Sequence, residues 1–268
     1  MKLINIGVAG CLGRMGKELV KKSISDSRVN FVGGFEHKKH ELINKNLSEI
    51  LNCDTNQIVS ANPEEVFNTS DVIIDFTVPE SSLANIEFAE KTLTPLIIGT
   101  TGLTQEINDK INDVSKKVAM LQSSNMSLGV NLLFNLVQQA ASVLDDVNYD
   151  IEISETHHKH KIDSPSGTAI ALGEFASKGR KRSFDNIKVF DRTNKNEKRK
   201  TGNIGFSVSR GGEIPGDHTV SFIGQSDRID LSHKAFDRSI FVRGAIEAAI
   251  FLSQKKTGLY SMEDVIKV

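Results

Sequence analysis

Two hydrophobic rhythms divide the chain. In the first half, short and nearly continuous apolar runs alternate with helical stretches. Residues 3–9 set Ile4, Ile6 and Val8 against Asn5 and Gly7, and a helical pattern follows as far as Lys22. Residues 31–35 predict a second strand. Residues 72–77, 96–102 and 118–123 predict three more, each followed by a helix, near 81–91, 105–115 and 128–143. The weaker Ile58-Val59 run predicts an edge strand. Runs of this kind suit a parallel sheet covered on both faces.

Beyond Asp146 the rhythm changes to strict alternation, in residues 149–155, 204–209, 219–223 and 228–232. Alternation predicts strands with one buried face, in an open mixed or antiparallel sheet. A helix over 166–178 can cover one face with Ile170, Leu172 and Phe175. The other face, if Ile, Val and Phe line it, is a surface for self-association. Residues 179–182 and 192–200 are cation-rich without hydrophobic period and read as an exposed, mobile connection. Residues 210–218 read as a turn-rich joint between strands. Residues 241–252 form an apolar helix expected to return to the first domain. The expected fold class is α/β: a Rossmann-type parallel-sheet domain (1–127 and 240–268) and a central α+β domain with an open mixed sheet (128–239), the latter for substrate binding and oligomerisation.

Composition narrows the possible functions. With 25% charged residues and a net charge of −1, there is no global basic field for nucleic acid. The tract 193–200 also lacks the aromatic residues that base stacking needs. No window approaches the ~20 apolar residues of a membrane span. Cys11 and Cys53 are the only cysteines, so no disulfide framework is indicated and a cytoplasmic setting is expected.

Chemistry enters first at the glycine turn. Gly10-Cys11-Leu12-Gly13-Arg14-Met15-Gly16 sits between a strand and a helix, where glycines let a pyrophosphate approach backbone and helix N-terminus, with Arg14 adding a cation. Leu12 stands where G-x-G-x-x-G has its middle glycine. Glu36 ends the second strand about 20 residues on, placed to accept hydrogen bonds from an adenosine ribose. That favours NADH, while His37, Lys38 and Lys39 could pair with the 2′-phosphate of NADPH. Thr77, Gly99-Thr100-Thr101 and Ser123-Ser124-Asn125-Met126 fall at carboxyl ends of strands, where small residues and hydroxyls would admit a nicotinamide.

The second chemical stretch is Glu155-Thr156-His157-His158-Lys159-His160-Lys161, followed by Asp163-Ser164-Pro165-Ser166-Gly167-Thr168. Runs of Lys and His are usually a solvated face. Here they precede a helix start whose Ser166, Gly167 and Thr168 amides lack intrahelical partners. Imidazoles that titrate near neutrality, ammonium groups and a helix N-terminus suit a small carboxylated substrate that must be protonated. Metal binding ranks last, because nothing has zinc-site spacing, and no metal is expected.

In chain order, Gly10–Gly16, Ile74-Asp75-Phe76-Thr77, Gly99–Gly102, the His-rich stretch with its Pro-Ser-Gly-Thr, and Arg210-Gly211-Gly212 resemble the 4-hydroxy-tetrahydrodipicolinate reductase (dihydrodipicolinate reductase) family. The resemblance implies NAD(P)H-dependent reduction in lysine and diaminopimelate biosynthesis by a homotetramer built through the central domain. It places the catalytic acid on His157 and a second catalytic group on Lys161. Substrate carboxylates fall on His158, Lys161 and the Gly167-Thr168 backbone. Nicotinamide contacts fall on residues 99–101 and 123–126, and the adenosine side on Glu36. Three departures stand out: His37 where an Arg often follows the ribose acid, Ser123-Ser124 in place of a small apolar pair, and a 191–201 stretch without glycines.

Overall fold

The computed structural model describes residues 3–193 and 196–266. Met1, Lys2, Asn194, Lys195, Lys267 and Val268 lie outside the described residues, and with them the start of the 1–127 span, part of the 192–200 connection and the end of the 240–268 span. The chain divides into two units, one of residues 3–127 with 239–266 and one of residues 128–238.

The first unit alternates strand and helix. Its elements are β1 (Ile4–Ala9), α1 (Arg14–Ser25), β2 (Val29–Phe35), α2 (Leu47–Leu51), β3 (Val59–Ser60), α3 (Pro63–Thr69), β4 (Val72–Asp75), α4 (Pro79–Thr92), β5 (Leu96–Ile98), α5 (Gln105–Ser115) and β6 (Ala119–Gln122). The second unit holds α6 (Leu128–Val143), β7 (Asp150–His157), α7 (Gly167–Gly179), α8 (Phe184–Ile187), β8 (Lys188–Val189), β9 (Ile204–Arg210), β10 (Gly216–Ile223) and β11 (Arg228–Ala235). The chain then completes the first unit with α9 (Ser239–Leu252), β12 (Gly258–Tyr260) and α10 (Met262–Ile266).

The first sheet runs β12-β6-β5-β4-β1-β2-β3 with every described pairing parallel. Ile6, Val8, Ile73, Ile74, Ile97 and Ile98 are fully buried, because helices cover both faces. The helices read as their spacing predicts. Residues 82, 85, 86 and 89 form the buried stripe of α4, and Pro79 starts it, where a missing N–H costs nothing. In α5 the Thr104 hydroxyl accepts the Ile107 N–H and caps the helix. α9 packs on α1, β4, β5 and β6. The strand order reverses at β1, between β2 and β4. In such sheets that point, beyond the carboxyl ends of the strands, is where ligands bind.

The second sheet runs β11-β10-β7-β9-β8. The first two pairings are antiparallel and the last two parallel, so it is mixed. Period-two alternation turns Ile151, Ile153, Glu155 and His157 to one face of β7, opposite Phe222, Val220 and His218 of β10. α6 and α7 cover this face through Leu133, Phe134, Val137, Leu172 and Ala176.

Several expectations need correcting. The open face is mainly polar: register gives it Glu152, Ser154, Ser207, Ser209, Thr219 and Ser221, with Val189 and Ile223 at strand ends. The 192–200 connection is exposed as expected over its described residues except Arg199, but it is tethered. Arg199 is largely enclosed and reaches Asp150 Oδ1 (2.5 Å) and Glu152 Oε1 (3.1 Å), and Arg192 binds the same Glu152 at 2.7 Å. Strand pairing also takes in both ends of the 210–218 joint: β9 keeps Arg210 and β10 begins at Gly216. The edge strand lies one residue later than expected, at Val59–Ser60.

Candidate active site

In the first unit, the glycine turn closes tightly over the switch point. Gly10 adopts φ +63, a conformation that costs glycine nothing, and its amide reaches Phe35 O at 2.9 Å. A Cβ on Gly10 would lie 2.7 Å from Thr77 Cγ2, and one on Gly16 would run into Gly10 O. Glycine at these positions brings the β1 and β4 rims and the start of α1 together. No side chain caps α1 at Gly13, so its first amides remain for an anion.

A cavity of about 510 Å³ opens here, bordered by Gly10, Leu12, Gly13, Glu36, His37 and Thr77 among others. Glu36 does more than border it: its Oε1 accepts the Leu12 N–H at 2.7 Å and ties the loop to the end of β2. Cys11 turns its thiol inward, where burial and then the Glu36 charge push its pKa to about 12. It contributes backbone, not a reactive sulfur. Arg14 is exposed and Met15 half-buried in the first turn of α1.

The β4 and β5 rims are joined by a residue that sequence reasoning left without a role. Asp75 is fully buried, and its Oδ1 accepts from Thr77 N (2.9 Å), Thr77 Oγ1 (2.6 Å) and Thr100 Oγ1 (3.3 Å), while Oδ2 accepts from Asn85 (3.1 Å). Thr100 is therefore buried and structural, while Thr101 beside it is exposed. Gly99 presses on the Phe76 ring, where a Cβ would lie 2.5 Å from Cζ. In the following rim, Ser123 Oγ donates to Asn125 O at 2.8 Å, Ser124 is exposed and Met126 is buried.

In the second unit, the alternation of β7 carries two polar residues onto its buried face. Glu155 and His157 are 3% and 7% exposed. His157 Nδ1 contacts Glu155 Oε2. Arg210, from β9, grips the same carboxylate with both amino groups, Nη2 to Oε1 at 3.0 Å and Nη1 to Oε2 at 3.2 Å. Burial opposes ionisation of Glu155, but Arg210, the Ser166 N–H and His157 together outweigh it and hold its pKa below the usual range. Burial also lowers the His157 pKa. Glu155 works against that shift, and Lys161 and Arg210 add to it.

Ser166 departs from expectation. Its N–H is turned inward to Glu155 Oε1 (2.9 Å), and its hydroxyl accepts the Ala169 N–H (3.2 Å) and contacts His218 Nε2 (3.1 Å). Ser166 is 2% exposed and caps α7 from within. Gly167 and Thr168 form the outer first turn. The basic run also separates. Lys159 and His160 are exposed beside Glu213, at 3.4 and 3.9 Å. His158 is half-buried with its N–H on Ile214 O (2.8 Å), and Lys161 Nζ lies 2.8 Å from Asp163 Oδ1.

His218 went unnoticed in the sequence because it lies 61 residues beyond His157 and only register brings it close. Its ring meets that of His157 edge-on, with centroids 5.0 Å apart. Glu155, His157 and His218 offer ligand atoms within 4.8 Å of one another, a spacing that a cation could bridge. The guanidinium of Arg210 already sits on that carboxylate, and a metal would have to displace it against like charge, so no metal is assigned.

A doubly wound parallel sheet with a glycine turn at its switch point, joined to a mixed-sheet unit with a buried His–Glu–Arg network, defines a two-unit α/β oxidoreductase. Comparison with known proteins gives the family. Residues 4–126 match the family model "Dihydrodipicolinate reductase, N-terminus" and residues 129–266 match "Dihydrodipicolinate reductase, C-terminus". The 4-hydroxy-tetrahydrodipicolinate reductase of Wolbachia pipientis (from Culex pipiens) is 44% identical over 98% of this chain and 99% of its own. That of Polynucleobacter necessarius is 40% identical over 98% of both. A dipicolinate-bound dihydrodipicolinate reductase from a Paenisporosarcina species shares the fold, with a TM-score of 0.79 and 23% identity over 98% of this chain and 99% of that one. The chain belongs to the dihydrodipicolinate reductase family. That membership implies a nicotinamide dinucleotide as cofactor.

Proposed function

We propose that this chain reduces 4-hydroxy-tetrahydrodipicolinate, by way of dihydrodipicolinate, to tetrahydrodipicolinate in lysine and diaminopimelate biosynthesis, using NADH, NADPH or both. The observation that carries the reading is the buried imidazole of His157 beside Lys161 and the first turn of α7. A ring diacid needs a proton donor and anion-binding groups of this kind.

The first unit fits the cofactor: its glycine turn, the uncapped start of α1 and the Glu36 carboxylate border one cavity. Bound there, the reduced nicotinamide supplies a hydride. In this reading Gly10 to Met15 hold the pyrophosphate side and Glu36 with His37 the adenosine ribose. Thr77, residues 99–101 and residues 123–126 lie on the nicotinamide side. In the second unit, Lys161, His158 and the Gly167-Thr168 backbone take the two carboxylates, and Ser166 supports them by capping α7. His157 delivers the proton, and Lys161 favours the negative charge that develops on the ring.

The reading extends to assembly and setting. The hydroxyl-rich open face of the second sheet would join copies into a homotetramer, in the cytoplasm. No helix among the described residues is long and apolar enough to cross a membrane.

The deciding assay follows loss of NADH and NADPH absorbance in parallel, with substrate freshly generated by the preceding aldolase-type step. Turnover with either coenzyme is expected, and none with a monocarboxylate analogue. A protein that binds the coenzymes but oxidises neither would be a sensor or scaffold. One that turns over a single-carboxylate amino acid oxidatively would be another dehydrogenase.

A further inference from the structure

His157 has two ring nitrogens, and the structure determines which of them can meet a ligand. Glu155 accepts four contacts: Ser166 N–H and Arg210 Nη2 on Oε1, and Arg210 Nη1 and His157 Nδ1 on Oε2. The backbone amide and the guanidinium can only donate. Arg210 is itself held in place, with Nη1 donating to Ser209 O at 2.7 Å and Nη2 to Asp163 O at 2.6 Å. A carboxylate so surrounded stays ionised and has no proton to give. The contact with His157 is therefore a donation by the ring.

We propose that Glu155, clamped by Arg210, is a positioning residue that fixes the proton of His157 on Nδ1 and so presents Nε2 to the substrate. The proposal rests on the reading of His157 as the acid. When His157 is neutral, the proton stays on Nδ1 and Nε2 carries the lone pair. When it is protonated, the second proton sits on Nε2, the one that can be transferred. The same carboxylate holds the Ser166 amide at 2.9 Å, so one side chain aligns the acid with the α7 start that receives substrate charge.

The groups facing His157 agree with this assignment. Glu155 is the one anion in direct contact with it among the described residues, Lys161 and Arg210 are cations, and His218 stays neutral because burial lowers its pKa to about 4. Gly216 leaves space on the other side of the ring, where a Cβ would lie 2.9 Å from Nε2.

The test uses the full-length protein labelled with ¹⁵N-histidine, together with Glu155→Gln, Glu155→Asp and His157→Gln. In the parent at high pH, His157 is expected to give a protonated Nδ1 and an unprotonated Nε2. An Nε2-protonated tautomer, or a mixture of the two, overturns the proposal. Glu155→Gln is expected to lower kcat by about tenfold or more near neutrality, with KM little changed. It should also move the alkaline limb of kcat/KM downward by about one pH unit or more, with partial recovery in Glu155→Asp. A purely structural role would lower activity and thermal stability without moving that limb, and this outcome also overturns the proposal. If Glu155→Gln does not fold, the tautomer in the parent still decides. A fully active His157→Gln would remove the acid reading alone, since the tautomer measurement does not depend on turnover.

Discussion

Lys161 is already paired: its Nζ lies 2.8 Å from Asp163 Oδ1, with Lys161 22% exposed and Asp163 59%. A dicarboxylate arriving at Lys161 meets both the ammonium group it needs and a carboxylate that repels it. Lys161→Ala is expected to raise KM and lower kcat together, because the ammonium both binds the substrate and stabilises charge that grows during reaction. Asp163→Asn is expected to lower KM by about two- to fivefold with kcat unchanged, the scale of one exposed ion pair, and less so at high salt. Initial rates at two ionic strengths check both. If Asp163→Asn raises KM as Lys161→Ala does, Asp163 orients the lysine instead of competing for it.

Gly216 provides a probe of the opposite side of His157. Alanine there would place a methyl 2.9 Å from Nε2 and 3.3 Å from Cδ2, tighter than ordinary contact. The ring must shift or be shielded, and cores resist such overpacking. Gly216→Ala is expected to lower kcat/KM by about tenfold or more. NADH binding, read by coenzyme fluorescence, should be unchanged, since the cavity of the first unit is distant in the chain and built from other elements. Unaltered turnover would mean that Nε2 is not the working nitrogen.

Glu36 has two roles that one substitution separates. Its Oε1 holds the Leu12 N–H at 2.7 Å, so Glu36→Ala is expected to loosen the glycine loop and weaken NADH and NADPH alike. Glu36→Gln keeps an acceptor for that amide but removes the charge. It is expected to weaken NADH by about 1.5–3 kcal/mol, the worth of a hydrogen bond to a charged group, and to leave NADPH unchanged or improved. Titration of both coenzymes against both variants tests this. Unchanged constants in Glu36→Ala would remove the ribose assignment.

The two rhythms were legible because they reflect burial on both faces in one sheet and on one face in the other. The limits of α5 and α6 agree with the spacing, and Ser166 caps α7 as its residue type predicts. Short elements escaped notice: α2, α3, β8 and β12 have too few residues to show a period. The site was legible as a motif but not as a network. Glu155 lies two residues from His157, a spacing that in a strand means the same face, and that signal was available. Arg210 and His218 reach it only through the register of β9 and β10, and Asp75 gains its role only once β4 and β5 lie side by side. The basic run looked uniform in sequence, whereas folding buries His157, half-buries His158 and Lys161, and leaves Lys159 and His160 in solvent.

Burial of His218 predicts a pH dependence of stability. It is 4% exposed, and burial, then the His157 charge, lower its pKa from 6.5 to about 4. Between those values the unfolded chain binds a proton at this position and the folded chain does not. Stability from this group is therefore fully present above the unfolded pKa and falls as the pH drops towards the folded one. The loss over that window is on the order of 3 kcal/mol. Glu155 also loses stabilisation on acidification, since its folded pKa is lowered, but that loss falls in the carboxylate range. His218→Gln retains an amide that can meet Ser166 Oγ and lacks the titration, so comparison isolates the histidine. In urea unfolding followed by circular dichroism, the parent is expected to lose more stability than His218→Gln between about pH 7 and about pH 4.5. Equal losses would mean that His218 takes up its proton in the folded state, which would place a second cation against His157 and weaken its own protonation.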